Sequence, residues 1–292
     1  MNNMKKVLII KMSRIITLIF VLNLFSTSVY AEFDRSKKIE VDGIYYHFDA
    51  DNLEAEVTGL PQSSYYGDVK IPSSVEYKNK TYTVRNIGRL AFQECRLSSV
   101  DLPNTIRVIK DYAFASTKTE VGMKDLEIVF PEGVTTIESG AFDEGFVVKI
   151  TLPSTVTELG SGAFSDAKWL EHVNMPGNMN ITEIPYFSFG RCSRLKSIAI
   201  PEKVEKIGGN AFLSCFSLSS VTLSKNLKEI GASAFWGCDG LTDIYCLSDV
   251  VPDIQKDTFE GVKKGKVRLH VPASMLSKYK AHKIWGKFNI VP

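Results

Sequence analysis

Histidine is scarce in this 292-residue chain, with four copies. None lies in a His-Glu-x-x-His phrase, which sets two imidazoles one helical turn apart to hold zinc. No Gly-x-Ser-x-Gly nucleophile phrase occurs either. Gly160-Ser161-Gly162 is like one only superficially, and its place in the chain makes it a turn. Neither sign of charge is in excess, 35 Lys and Arg standing against 33 Asp and Glu. That balance removes any electrostatic reason to expect nucleic acid or an anionic membrane as a partner. Lys263, Lys264 and Lys266 form a compact basic run and read as a solvated turn. No apolar run reaches the roughly 20 residues that a membrane-spanning helix needs. The composition that remains, 44% apolar and 23% charged, is ordinary for a folded protein and excludes a mainly disordered one. No catalytic, cofactor-binding or metal-binding residues are expected.

The first stretch has the layout of an export signal. Lys5, Lys6, Lys11 and Arg14 precede a short apolar core from Ile15 to Phe25, and Val29-Tyr30-Ala31 suits cleavage between Ala31 and Glu32. An uncleaved anchor is the alternative. Cleavage would leave 31 basic against 33 acidic residues, and the chain is expected to be extracellular, at the cell surface or periplasmic. No sorting or anchoring tail is expected at the carboxy terminus.

One phrase then recurs: an aliphatic residue, three variable residues, a small residue, and Phe. It ends at Phe92, Phe114, Phe142, Phe164, Phe189, Phe212, Phe235 and Phe259, in steps of 22, 28, 22, 25, 23, 23 and 24 residues. A second phrase alternates with it, as in Leu97…Val100-Asp101-Leu102-Pro103 and Leu195…Ile198-Ala199-Ile200-Pro201. Its period of two marks a strand, and Pro closes the strand because it lacks the N–H the ladder needs. A strand of three to five residues per coil of about 23 residues cannot bury its own apolar side. Stacking coil on coil builds a parallel sheet and aligns each Leu, Ile and Phe with its equivalents. The small residue before Phe is then required by the neighbouring coil. The fold expected is a repeat solenoid of about eight coils, mainly β with short helical turns. Residues 32–85 would form a β-rich amino-terminal cap, 86–266 the repeats and 267–292 a short α/β cap.

The motif Leu-x-x-Val-x-Leu-Pro-x-x-Val-x-x-Ile-Gly-x-x-Ala-Phe-x-x-Cys resembles the BspA-like, or Treponema-type, leucine-rich repeats of Bacteroides-group surface proteins. The resemblance runs from about Phe33 to Pro292 and takes in Val41-Asp42-Gly43-Ile44-Tyr45-Tyr46 at the start and Leu269-His270-Val271-Pro272 at the end. It implies a curved right-handed superhelix, extracellular placement, and roles in adhesion or ligand capture, with no catalytic residues.

Four of the five cysteines, Cys95, Cys192, Cys215 and Cys238, share one slot three residues after Phe, and Cys246 takes the last inward place of its strand. All five read as reduced, buried small hydrophobes. Stacked coils would keep their Cβ atoms near 4.8 Å, wider than a disulfide's roughly 3.8 Å. The carboxylate pairs Asp49 with Asp51 and Glu54 with Glu56 read as solvated charges in hairpin turns.

Outward strand positions remain as the place for function. Glu127, Lys149, His172 and Asp243 fall in one column, Asn174, Tyr245 and His270 in the other. These seven are the candidate ligand-binding residues, with Trp169 and Trp236 at coil edges as possible anchors. The expected function is a non-catalytic exported module that binds an extracellular protein or glycan. The alternative is a structural subunit of the cell envelope that self-associates through solenoid edges. The chain is otherwise expected to be a monomer.

Overall fold

The computed structural model describes residues 37–60, 64–119 and 125–292. The expected export signal and its cleavage site lie outside the described residues.

Three antiparallel strands open the structure: β1 (Ile39–Val41), β2 (Ile44–Asp49) and β3 (Glu54–Thr58). The β1–β2 turn places Asp42 and Gly43 at φ 50° and 81°, the left-handed pair that matches hairpin twist. In the next turn Asp49 Oδ1 accepts the amide N–H groups of Asp51 and Asn52 at 2.9 and 3.1 Å. Two further strands, β4 (Tyr66–Lys70) and β5 (Ser74–Tyr77), lead to β6 (Lys80–Ile87) and β7 (Arg96–Asp101). β3 runs parallel to β6 and β4 parallel to β7, so the cap hands one strand to each of two ladders.

Each following coil carries a long strand on one ladder and a two-residue strand on the other. The long-strand sheet runs from Glu127–Val129 through Lys149–Thr151, His172–Asn174, Ser197–Ala199, Ser220–Leu223 and Asp243–Cys246 to Arg268–His270 and Asn289–Val291. The short strands, such as Thr136–Ile137 and Lys206–Ile207, hold the aliphatic residue that opens the Phe phrase. This second ladder adds to the single strand per coil read from the sequence. Among the described residues, no helix is long and apolar enough to cross a membrane.

The eight Phe rings form one continuous file. Neighbouring centroids lie 5.0–5.4 Å apart, and the planes between Phe189 and Phe212 differ by 1°. The residue before each Phe is fully or almost fully buried, as expected. Where it is polar, its hydroxyl returns to a carbonyl: Ser188 donates to Pro185 O at 2.9 Å and Thr258 to Gly231 O at 3.1 Å.

Rings with a polar tip plug both ends. Tyr65 packs on Phe92 and donates its hydroxyl to Thr58 O. Trp285, buried beneath the helix α1 (Leu276–Ala281), packs on Phe259 and donates Nε1–H to Pro252 O at 3.0 Å.

All five cysteines are free and buried. Their slot proves more specific than a small hydrophobe requires. The thiols of Cys192, Cys215 and Cys238 reach the carbonyls of Phe164, Phe189 and Phe212 at 3.0–3.1 Å, so each closes on the coil before it. Burial pushes the Cys238 thiol up to about 12 and Cys95 to about 11, far from the thiolate a reactive cysteine needs.

The reading of Glu56 as a turn charge is corrected. Glu56 lies within β3, not in a hairpin turn, and is buried with Lys110, with which it forms an ion pair. Gly88 makes room for it, since a Cβ there would come within 2.9 Å of Glu56 Cγ.

Candidate functional site

The long-strand sheet brings the expected residues into register. Lys149 pairs directly with Glu127 on one side and His172 on the other, and Thr151 with Asn174. Lys149 Nζ lies 3.4 Å from Glu127 Oε2, and all four side chains named as candidates here are exposed. Such a solvated pair contributes little to stability, which leaves its charges available to a partner.

Asp243, Tyr245 and His270 form a separate group at the far end of the sheet. Small residues, Ser197, Ala199, Ser220 and Thr222, occupy the strands between. With strands about 4.8 Å apart, Asp243 lies on the order of 14 Å from His172. The face is therefore two polar clusters joined by a shallow small-residue floor.

The second cluster is tightly bound up with itself. Asp243 is buried rather than projecting outward as a free ligand contact, and this corrects the expectation. Its Oδ2 accepts from Arg268 Nη2 at 2.8 Å and from Thr242 Oγ1 at 3.0 Å, while Oδ1 lies 2.8 Å from His270 Nε2. Tyr245 stacks on the His270 ring at 4.3 Å, a direct cross-strand pair. Asp243 meets His270 diagonally, two residues beyond its register partner Arg268, within reach of a long side chain. What Asp243 does is orient: it fixes the exposed Arg268 guanidinium and the half-buried His270–Tyr245 stack.

Arg268 is the residue that sequence reasoning missed. Extending the Asp243 column by one coil would have found it. A second omission is Arg194, whose guanidinium sits 4.0 Å over the ring of Trp169. That ring also packs on Phe146 at 4.9 Å, so the exposed Trp169 covers the coil before it and is itself covered from the coil after. Trp236 is exposed at another edge.

The Arg268 and His270 hydrogen bonds hold the Asp243 carboxyl down at about 2, below its ordinary 3.8. A carboxyl depressed in the folded state stabilises fully above its unfolded value, and that stabilisation drains away as pH falls through the folded value. Stability should therefore decline between about pH 4 and 2, and Asp243→Asn should flatten that part of the curve. Denaturant midpoints measured across this window test it, and parallel curves for the two proteins would refute it.

A family profile described as BspA type leucine-rich repeat region matches in six copies, over residues 58–180, 123–242 and 170–277. The chain belongs to the BspA-type leucine-rich-repeat family. Membership supports a protein-interaction role for this BspA-type chain. A leucine-rich repeat protein from Bacteroides ovatus is similar in structure, 24% identical over 80% of this chain and 70% of its own, with a TM-score of 0.51. The pneumococcal vaccine antigen PcpA is 18% identical over 82% of each chain, with a TM-score of 0.54. At these identities both show the fold alone. No curated protein matches the chain. Among the described residues of this BspA-type solenoid, no group of three or more His, Cys, Asp or Glu could hold a metal ion.

Proposed function

We propose that this BspA-type chain is an exported, non-catalytic binding protein that captures an extracellular protein or glycan on its long-strand face. The observation that carries the reading is the outward row Glu127–Lys149–His172 with Asn174 beside it, which offers exposed charge and hydrogen-bonding groups in one register. The small-residue floor beyond it leaves the sheet accessible to a broad partner, as repeat arrays use such faces. The Asp243–Arg268–His270–Tyr245 group supplies a preorganised far end, with two aromatic planes and a fixed guanidinium. The basic amino-terminal stretch and its apolar core support export.

Binding of the purified protein to an array of matrix proteins and glycans tests this. A saturable partner is expected, and the double variant Lys149→Ala with His172→Ala should weaken it by about tenfold, the equivalent of roughly 1.4 kcal/mol. A blank array, or a partner indifferent to these changes and to Tyr245→Ala, would sink the strand-face reading.

A further inference from the structure

The short-strand ladder is interrupted part-way along the solenoid. Its strands pair from Val108–Ile109 through Thr136–Ile137 to Glu158–Leu159, and again from Glu183–Ile184 to Asp253–Ile254. Glu158–Leu159 and Glu183–Ile184 do not pair with each other. We propose that this seam is a hinge between two blocks of the solenoid, and that bending there sets the separation of the two polar clusters on the long-strand face.

The first argument is a missing donor. The residue after the aliphatic one in the Phe phrase ties each coil to the coil before it. Lys110, Glu138, Gly160, Gly208 and Gly231 donate their N–H groups one coil back at 2.7–3.0 Å. In the coil of Phe189 that place holds Pro185, which has no N–H. Among the described residues no backbone N–H donates to Leu159 O, the acceptor it would have used. The proline ring also keeps the two coils apart. At Gly160 and Gly208 a Cβ would come within 2.3 and 2.7 Å of the previous coil's backbone, so glycine there permits a close approach that Pro185 forbids.

The second argument is an insertion. Six positions separate Pro153 from Leu159 and Pro201 from Ile207, but eight separate Pro176 from Ile184. The longer path takes the chain out of register at this corner. Thr157 and Glu205 donate N–H to Thr135 O and Thr182 O at 2.9 and 2.8 Å, whereas the equivalent bond from Thr182 to Thr157 is absent. Leu159 is left half-buried, where Ile137, Ile184 and Ile207 are completely buried.

The third argument is what still holds the coils together. Phe164 and Asp166 donate N–H to Ser188 O and Gly190 O at 2.9 and 2.8 Å, and the Phe164 and Phe189 rings lie 5.1 Å apart. The long-strand sheet crosses the seam with His172 opposite Ser197 alone, although Lys149–Thr151 opposes His172–Asn174 over its whole length. One corner is fastened, one is lightly held and one is open, which is the arrangement of a hinge.

The row Glu127, Lys149 and His172 lies before the seam, and Asp243, Arg268 and His270 lie beyond it. Widening the open corner curves the long-strand face inward and draws the two groups together. The hinge belongs to the free protein, so it stands or falls independently of any partner of that face.

Spin labels on Glu158→Cys and Asp253→Cys, both exposed positions on the short-strand side, test the proposal. They straddle the seam at four strand spacings, about 19 Å, and the five native cysteines are buried away from the label. Dipolar distance measurement should give a distribution at least about twice as wide in the otherwise native chain as in Pro185→Gly or Pro185→Ala, each of which restores the N–H. The alanine variant separates the returned donor from the freedom of glycine. In amide exchange, corrected for intrinsic rate, Thr182 and Glu183 should exchange at least about tenfold faster than Lys206 and Gly208, and slow by a similar factor in either variant. A native distribution as narrow as the variants', or Thr182 and Glu183 as protected as Lys206 and Gly208, would overturn the hinge. Equally broad distributions in all three proteins would overturn the role of Pro185.

Discussion

Phe189→Ala is expected to lower the unfolding free energy by about 3–5 kcal/mol, the range for deleting a buried aromatic ring from a packed core. Phe189 is completely buried, with Phe164 at 5.1 Å on one side and Phe212 at 5.4 Å on the other. Removing the ring opens a gap in the middle of the file, and the parallel ladders that keep neighbouring backbones at strand spacing prevent collapse into it. A solenoid's stability is roughly the sum of its coils and the interfaces between them, so a central gap weakens two interfaces at once. The denaturation curve should accordingly lose cooperativity, with the coils on either side of Phe189 melting at different denaturant concentrations. Phe189→Leu, which refills most of the space, should recover most of the loss and the single transition. A cost below about 1 kcal/mol with an unchanged single transition would show that the file is not what couples the coils.

Lys110→Met should cost about 3–5 kcal/mol, because it leaves the Glu56 carboxylate buried without its cation. The Lys110 and Glu56 side chains are 9% and 4% exposed, and the pair bridges the cap to the repeats. His47 Nδ1 lies 3.8 Å from Glu56 Oε1, too far to replace a lost hydrogen bond. Changing both partners, Lys110→Met with Glu56→Leu, removes the desolvated charges together and should be close to neutral, or stabilising. A thermodynamic cycle over the two single variants and the double variant measures this. Additive losses, with the double variant the least stable of all, would mean that the ion pair does not dominate this junction.

Much of the molecule was legible from spacing alone. The eight Phe positions, the small residue before each and the period of two in the long strands fix which side chains face the core. Once coils stack, those positions must align. The same logic placed Glu127, Lys149, His172 and Asn174 outward, where the structure has them. It failed for Asp243, because a column states which face a residue is on and not what its neighbours will do. Arg268 and His270 come from the next coil, 25 and 27 residues along, and enclose that carboxylate. It failed for Glu56 because a strand edge and a turn look alike in a short polar stretch. The partner that buries Glu56, Lys110, is far along the chain.

The turns draw the line most sharply. Two residues after each repeat Phe the backbone is left-handed, at Glu94, Ser116, Glu144, Asp166, Arg191, Ser214, Gly237 and Gly261. Two residues before Phe it is left-handed again at Leu90, Tyr112, Phe187, Asn210 and Ser233, with Gly140 and Gly162 at the equivalent places. Leu, Tyr and Phe disfavour that conformation by about 1–2 kcal/mol each, so no local propensity announces it. The hydrogen bonds from each coil to the next, such as Phe114 N–H to Ala141 O at 2.7 Å, impose it. By itself, then, the sequence determined the repeat, its inward and outward faces and the family. It could do so because hydrophobic periodicity is a property of the chain read in order. The bent path of each coil, the buried charge at the cap and the grouping of Asp243 with Arg268 and His270 were decided only by tertiary structure. Each of those depends on a contact between coils, and such a contact has no local trace in the residues that make it.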